Sequence, residues 1–135
     1  MCDMERIFYH IIVLVIKIKD AKPRSEFFYK NANGQSRIKV RDILYFQSHG
    51  RQITIHRIDG TDTFSRPLKE IERELSDSRF FLCHRSILVN YAHVQKLSHG
   101  ELTLSNGERI LISQGRRRHI REQFARYRDE DGRAF

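Results

Sequence analysis

The chain has 135 residues, enough for one hydrophobic core and too few for a second, catalytic domain. Twenty-five Lys and Arg against 17 Asp and Glu leave a formal charge of +8, which favours a polyanionic partner over a neutral small molecule. Two cysteines, Cys2 and Cys83, make neither a disulfide framework nor a CxxC ligand pair, so the composition points to the reducing cytoplasm and to no structural metal or other cofactor.

Residues 1–25 read as an apolar segment followed by a linker. The run from Ile7 to Ile16, interrupted by His10, is well short of the 18 or more residues a spanning helix needs, and no small-residue cleavage site follows. No membrane span or signal peptide is therefore expected. The run has neither period 2 nor period 3.6, which leaves three readings: a strand or helix packed on the domain, a self-association element, or a peripheral membrane contact. Lys17, Lys19, Lys22 and Arg24, with Pro23 among them, read as linker.

From Glu26 onward, short β-rich stretches alternate with turn signals. Asn33-Gly34, His49-Gly50, Asp59-Gly60, His99-Gly100 and Asn106-Gly107 mark hairpins, with strands between them. Ile53 and Ile55 share one face of a strand whose other face carries Thr54 and His56; Leu102 with Leu104, and Ile110 with Ile112, repeat the pattern. Strands this closely spaced predict an all-β domain over residues 26–128, built from stacked sheets. Phe27, Phe28, Tyr45 and Phe46 read as core.

Two short helices interrupt the strands. Ser65 can cap and Pro67 suits a first turn, so residues 67–75 form an amphipathic helix with Leu68, Ile71 and Leu75 inward and Glu70, Glu72 and Glu74 outward. Near the C-terminus, Ser113 can cap a second helix with Ile120, Phe124 and Tyr127 as its buried stripe. Seven Arg against the single acid Glu122 between Arg109 and Arg128 place a net +6 in this segment. Those arginines are either a solvated helical face or a phosphate contact. Residues 129–135 are expected to be a disordered tail.

The stretch Phe80-Phe81-Leu82-Cys83-His84-Arg85-Ser86-Ile87-Leu88-Val89-Asn90 must bury one face and expose another, which it can do by kinking at residues 84–86. Arg85 lies in that polar kink, and its guanidinium can take guanine O6 and N7 together. Cys83 reads as a core thiol, and Asn90 as a residue that closes a turn on its own backbone. His84 either orients its neighbours or touches a base.

Five segments in order carry a family resemblance: Asp42-Ile43-Leu44-Tyr45-Phe46, Ser65-Arg66-Pro67-Leu68-Lys69-Glu70-Ile71-Glu72, the 80–90 stretch, Leu104-Ser105-Asn106-Gly107, and Ile112-Ser113. Over roughly residues 27–128 the chain resembles the LytTR family of bacterial DNA-binding domains, of the LytR/AlgR class of transcriptional regulators. The resemblance implies an elongated stack of short, mostly antiparallel sheets of about ten strands, with one or two short α-helices. It also implies promoter binding through loops, with no recognition helix, and two copies on neighbouring repeats. Carried over residue by residue, its three contact loops give His49, Arg51 and Gln52, then His84, Arg85 and Ser86, then Arg116 and Arg117. The sequence departs from the family pattern where Gln114 and Gly115 separate Ser113 from Arg116. In relatives with a phosphoacceptor receiver domain that domain lies upstream, so this chain reads as a stand-alone module or a truncated response regulator of a two-component system.

The expected function is sequence-specific double-stranded DNA binding for transcriptional control. The alternative is a protein-interaction adaptor that docks a regulatory partner through its apolar N-terminus, with the basic tail a non-specific aid. An enzyme is not expected: the chain has no Gly-rich phosphate loop, HExxH or GxSxG motif. Cys83 and His84 are adjacent in a strand and point to opposite faces, so they cannot act as nucleophile and base.

Overall fold

Alternating side chains and hairpin turns produce ten strands in three antiparallel sheets. The computed structural model describes residues 25–132, so the apolar segment and linker expected over 1–25 lie outside the described residues except for Ser25. β1 (Glu26–Asn31) and β2 (Gly34–Lys39) form a two-stranded hairpin. β3 (Ile43–His49), β4 (Gln52–Arg57), β5 (Gly60–Ser65), β6 (Phe80–His84) and β7 (Ile87–Asn90) form the central sheet, in the order β5-β4-β3-β7-β6. β8 (Val94–Ser98), β9 (Glu101–Leu104) and β10 (Arg109–Leu111) form the third. Helix α1 (Leu68–Glu74) joins β5 to β6, and α2 (Arg117–Glu130) follows β10.

The central sheet is the middle layer, buried on both faces. On one side Ile43, Phe46, Ile53, Ile55, Phe64, Phe80 and Leu88 meet Phe27, Tyr29 and Ile38 of the hairpin and Leu68, Ile71 and Leu75 of the α1 region. Phe46 is the hub, with ring centroids 5.1 Å from Phe27, 5.8 Å from Phe80 and 6.4 Å from Phe64. On the other side Leu44, Tyr45, Phe81, Cys83 and Val89 meet Leu102, Leu104, Ile110 and Ile112 of the third sheet and Ile120 of α2. Each fully buried side chain of this size contributes roughly 1.5–3 kcal/mol relative to exposure, so a two-sided sheet doubles what one layer could supply.

Register shifts let single strands serve both layers. Between Ile43 and Tyr45 the pairing with β4 slips, which puts Leu44 and Tyr45 in the same core while Ile43 and Phe46 face the other. The β6–β7 ladder shifts likewise between Leu82 and His84, just before the turn. Hydrogen bonds tie the hairpin to β5: the Tyr29 hydroxyl donates to Asp62 at 2.8 Å and Asn31 Nδ2 donates to the same carboxylate at 3.1 Å.

Four expectations need correction. Phe28 is 56% exposed, because the alternation of β1 turns Phe27 and Tyr29 inward and leaves Phe28 on the outer face. Ser65 does not cap α1; Pro67 is its N-cap residue and no side chain caps the helix. Ser113 does not cap α2 either. A 3-10 turn over Gln114–Arg116 intervenes, so α2 starts at Arg117 with Arg116 at its N-cap. Finally, α2 runs through Glu130 rather than giving way to a tail at residue 129. Arg79 holds its end, donating to Asp131 at 2.7 Å and Glu130 at 3.0 Å while lying over Tyr127 and Tyr91.

Candidate nucleic-acid interface

Strand pairing brings the predicted loops to one end of the central sheet. His49 pairs with Gln52, so Gly50 and Arg51 are the two-residue turn between β3 and β4. Gly50 has φ +64° and Arg51 does not have positive φ, the pattern of a type II′ hairpin with its glycine first. His84 pairs with Ile87, leaving Arg85 and Ser86 as the β6–β7 turn. Because β3 pairs with β7 through Gln47 and Ile87, the two turns lie side by side. The Ser48 N–H donates to the Ser86 carbonyl at 2.8 Å and locks them together.

The third loop joins through backbone bonds. The Ser113 N–H donates to the Cys83 carbonyl at 3.0 Å, placing the bend that leads into α2 beside the end of β6. The β8–β9 turn comes with it, since the Ile112 N–H donates to the Gly100 carbonyl at 2.8 Å. At the other flank the Arg66 N–H donates to the Arg51 carbonyl at 3.0 Å. The result is a row of bends in the order Arg66, Arg51, Arg85, Ser113 and Gly100. At about 4.8 Å per strand step, such a row measures on the order of 20–25 Å.

The predicted residues differ in role along this row. His49, Arg51, Gln52, Arg85 and Arg117 are exposed, while His84, Ser86 and Arg116 are half-buried. His84 works inside its own turn: its Nδ1 accepts from the Ser86 N–H at 3.2 Å and lies 3.0 Å from the Ser86 hydroxyl. Since Nδ1 accepts, the neutral ring carries its proton on Nε2. Asn90 is buried at the far end of β7. Its Oδ1 accepts from the Ala92 N–H at 3.1 Å, and its Nδ2 donates to the carbonyls of Ile43 at 2.9 Å and Val40 at 3.3 Å. Burial pushes the Cys83 thiol up to about 12, so it stays protonated and inert.

Among the described residues, charge at this end is only partly compensated: Arg66, on its flank, pairs with Glu70 and Glu74. Among the described residues, the arginines in ion pairs are Arg37, Arg57, Arg66, Arg79, Arg109 and Arg118. Arg51, Arg85, Arg116 and Arg117 are in none of them, nor are Arg41, Arg73, Arg121, Arg126 and Arg128 elsewhere. Arg116 at the N-cap and Arg117 and Arg118 at the start of α2, with no acid in its first turn, set positive charge against the positive end of the helix dipole, an arrangement that an anion relieves. Sequence reasoning treated His99-Gly100 only as hairpin punctuation. Its place in the row comes from the Gly100–Ile112 bond, a contact with no local signal. No group of three or more His, Cys, Asp or Glu able to hold a metal occurs among the described residues, and no described helix is long and apolar enough to cross a membrane.

Comparison with known proteins assigns this architecture. The model of the LytTr DNA-binding domain matches residues 33–125. The chain belongs to the LytTr DNA-binding domain family. A solved LytTr DNA-binding domain from Bacillus cereus superposes with a TM-score of 0.64 at 26% identity, covering 73% of this chain and 95% of that one. The sensory transduction protein LytT of Bacillus subtilis is 28% identical over 81 residues, 56% of this chain and 34% of its own. An uncharacterized response regulatory protein of Vibrio cholerae is 26% identical over 86 residues, 59% of this chain and 33% of its own. The LytTr chain thus spans about a third of the length of these curated relatives.

Proposed function

We propose that this LytTr domain binds double-stranded promoter DNA sequence-specifically, through the arginine-bearing bends at one end of its central sheet. The observation that carries the reading is the row itself: bends from three separate parts of the chain, joined by backbone hydrogen bonds, bearing four arginines that form no ion pair among the described residues. Phosphate neutralisation supplies affinity, and donors on base edges supply choice. Arg85 stands near the middle of the row and Arg51 and Arg117 toward its flanks. In a major groove about 12 Å wide, Arg85 is directed at a base edge and the flanking arginines at the phosphates on either side. His84 and Ser86 fix the turn that carries Arg85, and His49, Gln52 and Arg116 complete the face. Two copies on neighbouring repeats would place two such rows one helical turn apart. The whole protein acts in transcriptional control in the cytoplasm.

The adaptor reading depends on an apolar N-terminus that lies outside the described residues, and the unpaired arginines favour DNA over it. Selection of a preferred duplex followed by affinity measurement on preferred and random duplexes tests the assignment. Arg85→Ala is expected to flatten the preference by about 1–3 kcal/mol. Arg117→Ala is expected to weaken both duplexes alike and lower the salt slope by roughly one. Equal loss on both duplexes for Arg85→Ala would remove it from the base-reading role.

A further inference from the structure

Arg117 is exposed, but its guanidinium lies against the backbone of Gly100. A Cβ added at Gly100 would collide with Nε and Cζ of Arg117 and stand 2.8 Å from its Nη2. The other turn glycines of the sheets, at positions 34, 50, 60 and 107, have open space where a Cβ would go. Ser98 pairs with Glu101, which leaves His99 and Gly100 as the two central residues of the turn, both with positive φ, 49° and 74°. That is the backbone of a type I′ hairpin, in which Asn-Gly and Gly-Gly are favoured. Positive φ alone would admit Asn at position 100. Room for Arg117 would not.

We propose that Gly100 is a positioning residue for phosphate recognition: its missing side chain lets Arg117 rest across the β8–β9 turn, set in advance toward the backbone of one DNA strand. The inference rests on the reading of the row as the DNA face. Three features support it. The Gly100 carbonyl accepts the Ile112 N–H, so the turn and the bend leading into α2 are fixed together. Glu101, the acid next to Gly100, is directed to Arg109 at 3.7 Å and does not neutralise Arg117. Seating a long side chain before binding also removes part of the rotamer freedom that contact with DNA would otherwise take away. A planar, delocalised guanidinium packs against a neighbouring surface more readily than a compact, strongly hydrated ammonium.

The test measures affinity of the full chain for a labelled random 25-base-pair duplex over a range of salt, with thermal melting as a check on folding. Gly100→Asn keeps a residue that tolerates the left-handed turn while adding the obstructing Cβ. Arg117→Ala is expected to weaken binding about 5–10-fold and lower the salt slope by roughly one. Gly100→Asn is expected to weaken it about 3–5-fold with a reduced slope, and to add less than about 1.5-fold in the Arg117→Ala background. Arg117→Lys needs no change in the turn; it keeps the charge without the planar group and is expected to lose about threefold. An unchanged affinity for Gly100→Asn or Arg117→Lys, or a Gly100→Asn loss as large without Arg117 as with it, would overturn the proposal. Arg51→Ala, on the opposite flank, separates the two levels. Weakened binding there with no effect at positions 100 and 117 defeats only the positioning role, whereas no effect at any of the three defeats the DNA face as well.

Discussion

Single residues divide here into those that hold the turns and those that meet the partner. Asn90 belongs to the first group, since one buried amide supplies an acceptor for Ala92 and a donor shared by Val40 and Ile43. Asn90→Ala removes the side-chain partner of the Ala92 N–H and the Ile43 carbonyl, leaving Val40 only the Ile43 N–H, and a loss of about 2–3 kcal/mol in urea unfolding is expected. The turn-closing half of this role was legible in the sequence, because Asn before a turn bonds its own backbone two residues on. The cross-links to Val40 and Ile43, some fifty positions away, have no local signature. His56 shows a different limit. Its ring stacks on Tyr45 at 3.9 Å and its Nε2 is buried without a partner; burial lowers its pKa against the opposing pull of Glu108. The unfolded chain therefore takes up a proton at this site before the folded one does. Stability is expected to be full above about pH 7 and to decline as pH falls through the ordinary histidine range toward the lowered folded value. His56→Phe should flatten that decline between about pH 7 and 5.5 in urea midpoints, and an identical decline would assign it to other groups.

At the scale of elements, hairpins were the readable part. The Asn-Gly, Asp-Gly and His-Gly pairs all fall at hairpins, where few residues besides glycine supply positive φ: Gly50 and His99-Gly100 sit at central turn positions, whereas Gly34, Gly60 and Gly107 directly follow the central residues. The register shifts in β3 and β6 were not readable. A strand whose two faces are both buried loses the alternation that would reveal an extra residue, and Ile43-Leu44-Tyr45-Phe46 is buried throughout. The end of α2 was misread for a related reason. Asp129, Glu130 and Asp131 look like a solvated tail until Arg79, itself held at φ +59°, is found between them and the rings of Tyr91 and Tyr127. Arg79→Ala is expected to cost about 1 kcal/mol and to speed amide exchange in the last turn of α2 while leaving DNA affinity unchanged. Unaltered exchange there would mean that the ring packing alone secures the helix.

Over the whole molecule, the fold converts a linear charge cluster into a graded one. The basic run at residues 109–128 looked like one patch in the sequence. Helix α2 instead carries it along 14 residues, about 21 Å, from the row of bends toward Arg79 at the opposite end. Only the start of that helix lies beside the turns of Arg85 and Gly100, so the interface is assembled chiefly by sheet pairing and cross-strand bonds. The fold class and the three loops were thus accessible from turn spacing and family resemblance. Their adjacency, and the inclusion of the β8–β9 turn, depend on long-range pairing. The most direct test is a titration of isotope-labelled protein with a DNA duplex, followed amide by amide by NMR. The account predicts that the largest shifts cluster at His49–Gln52, His84–Ser86, His99–Gly100 and Arg116–Arg117. Shifts concentrated instead at the opposite end, on Ile58, Asp59, Ala92 and Asn106, would contradict it.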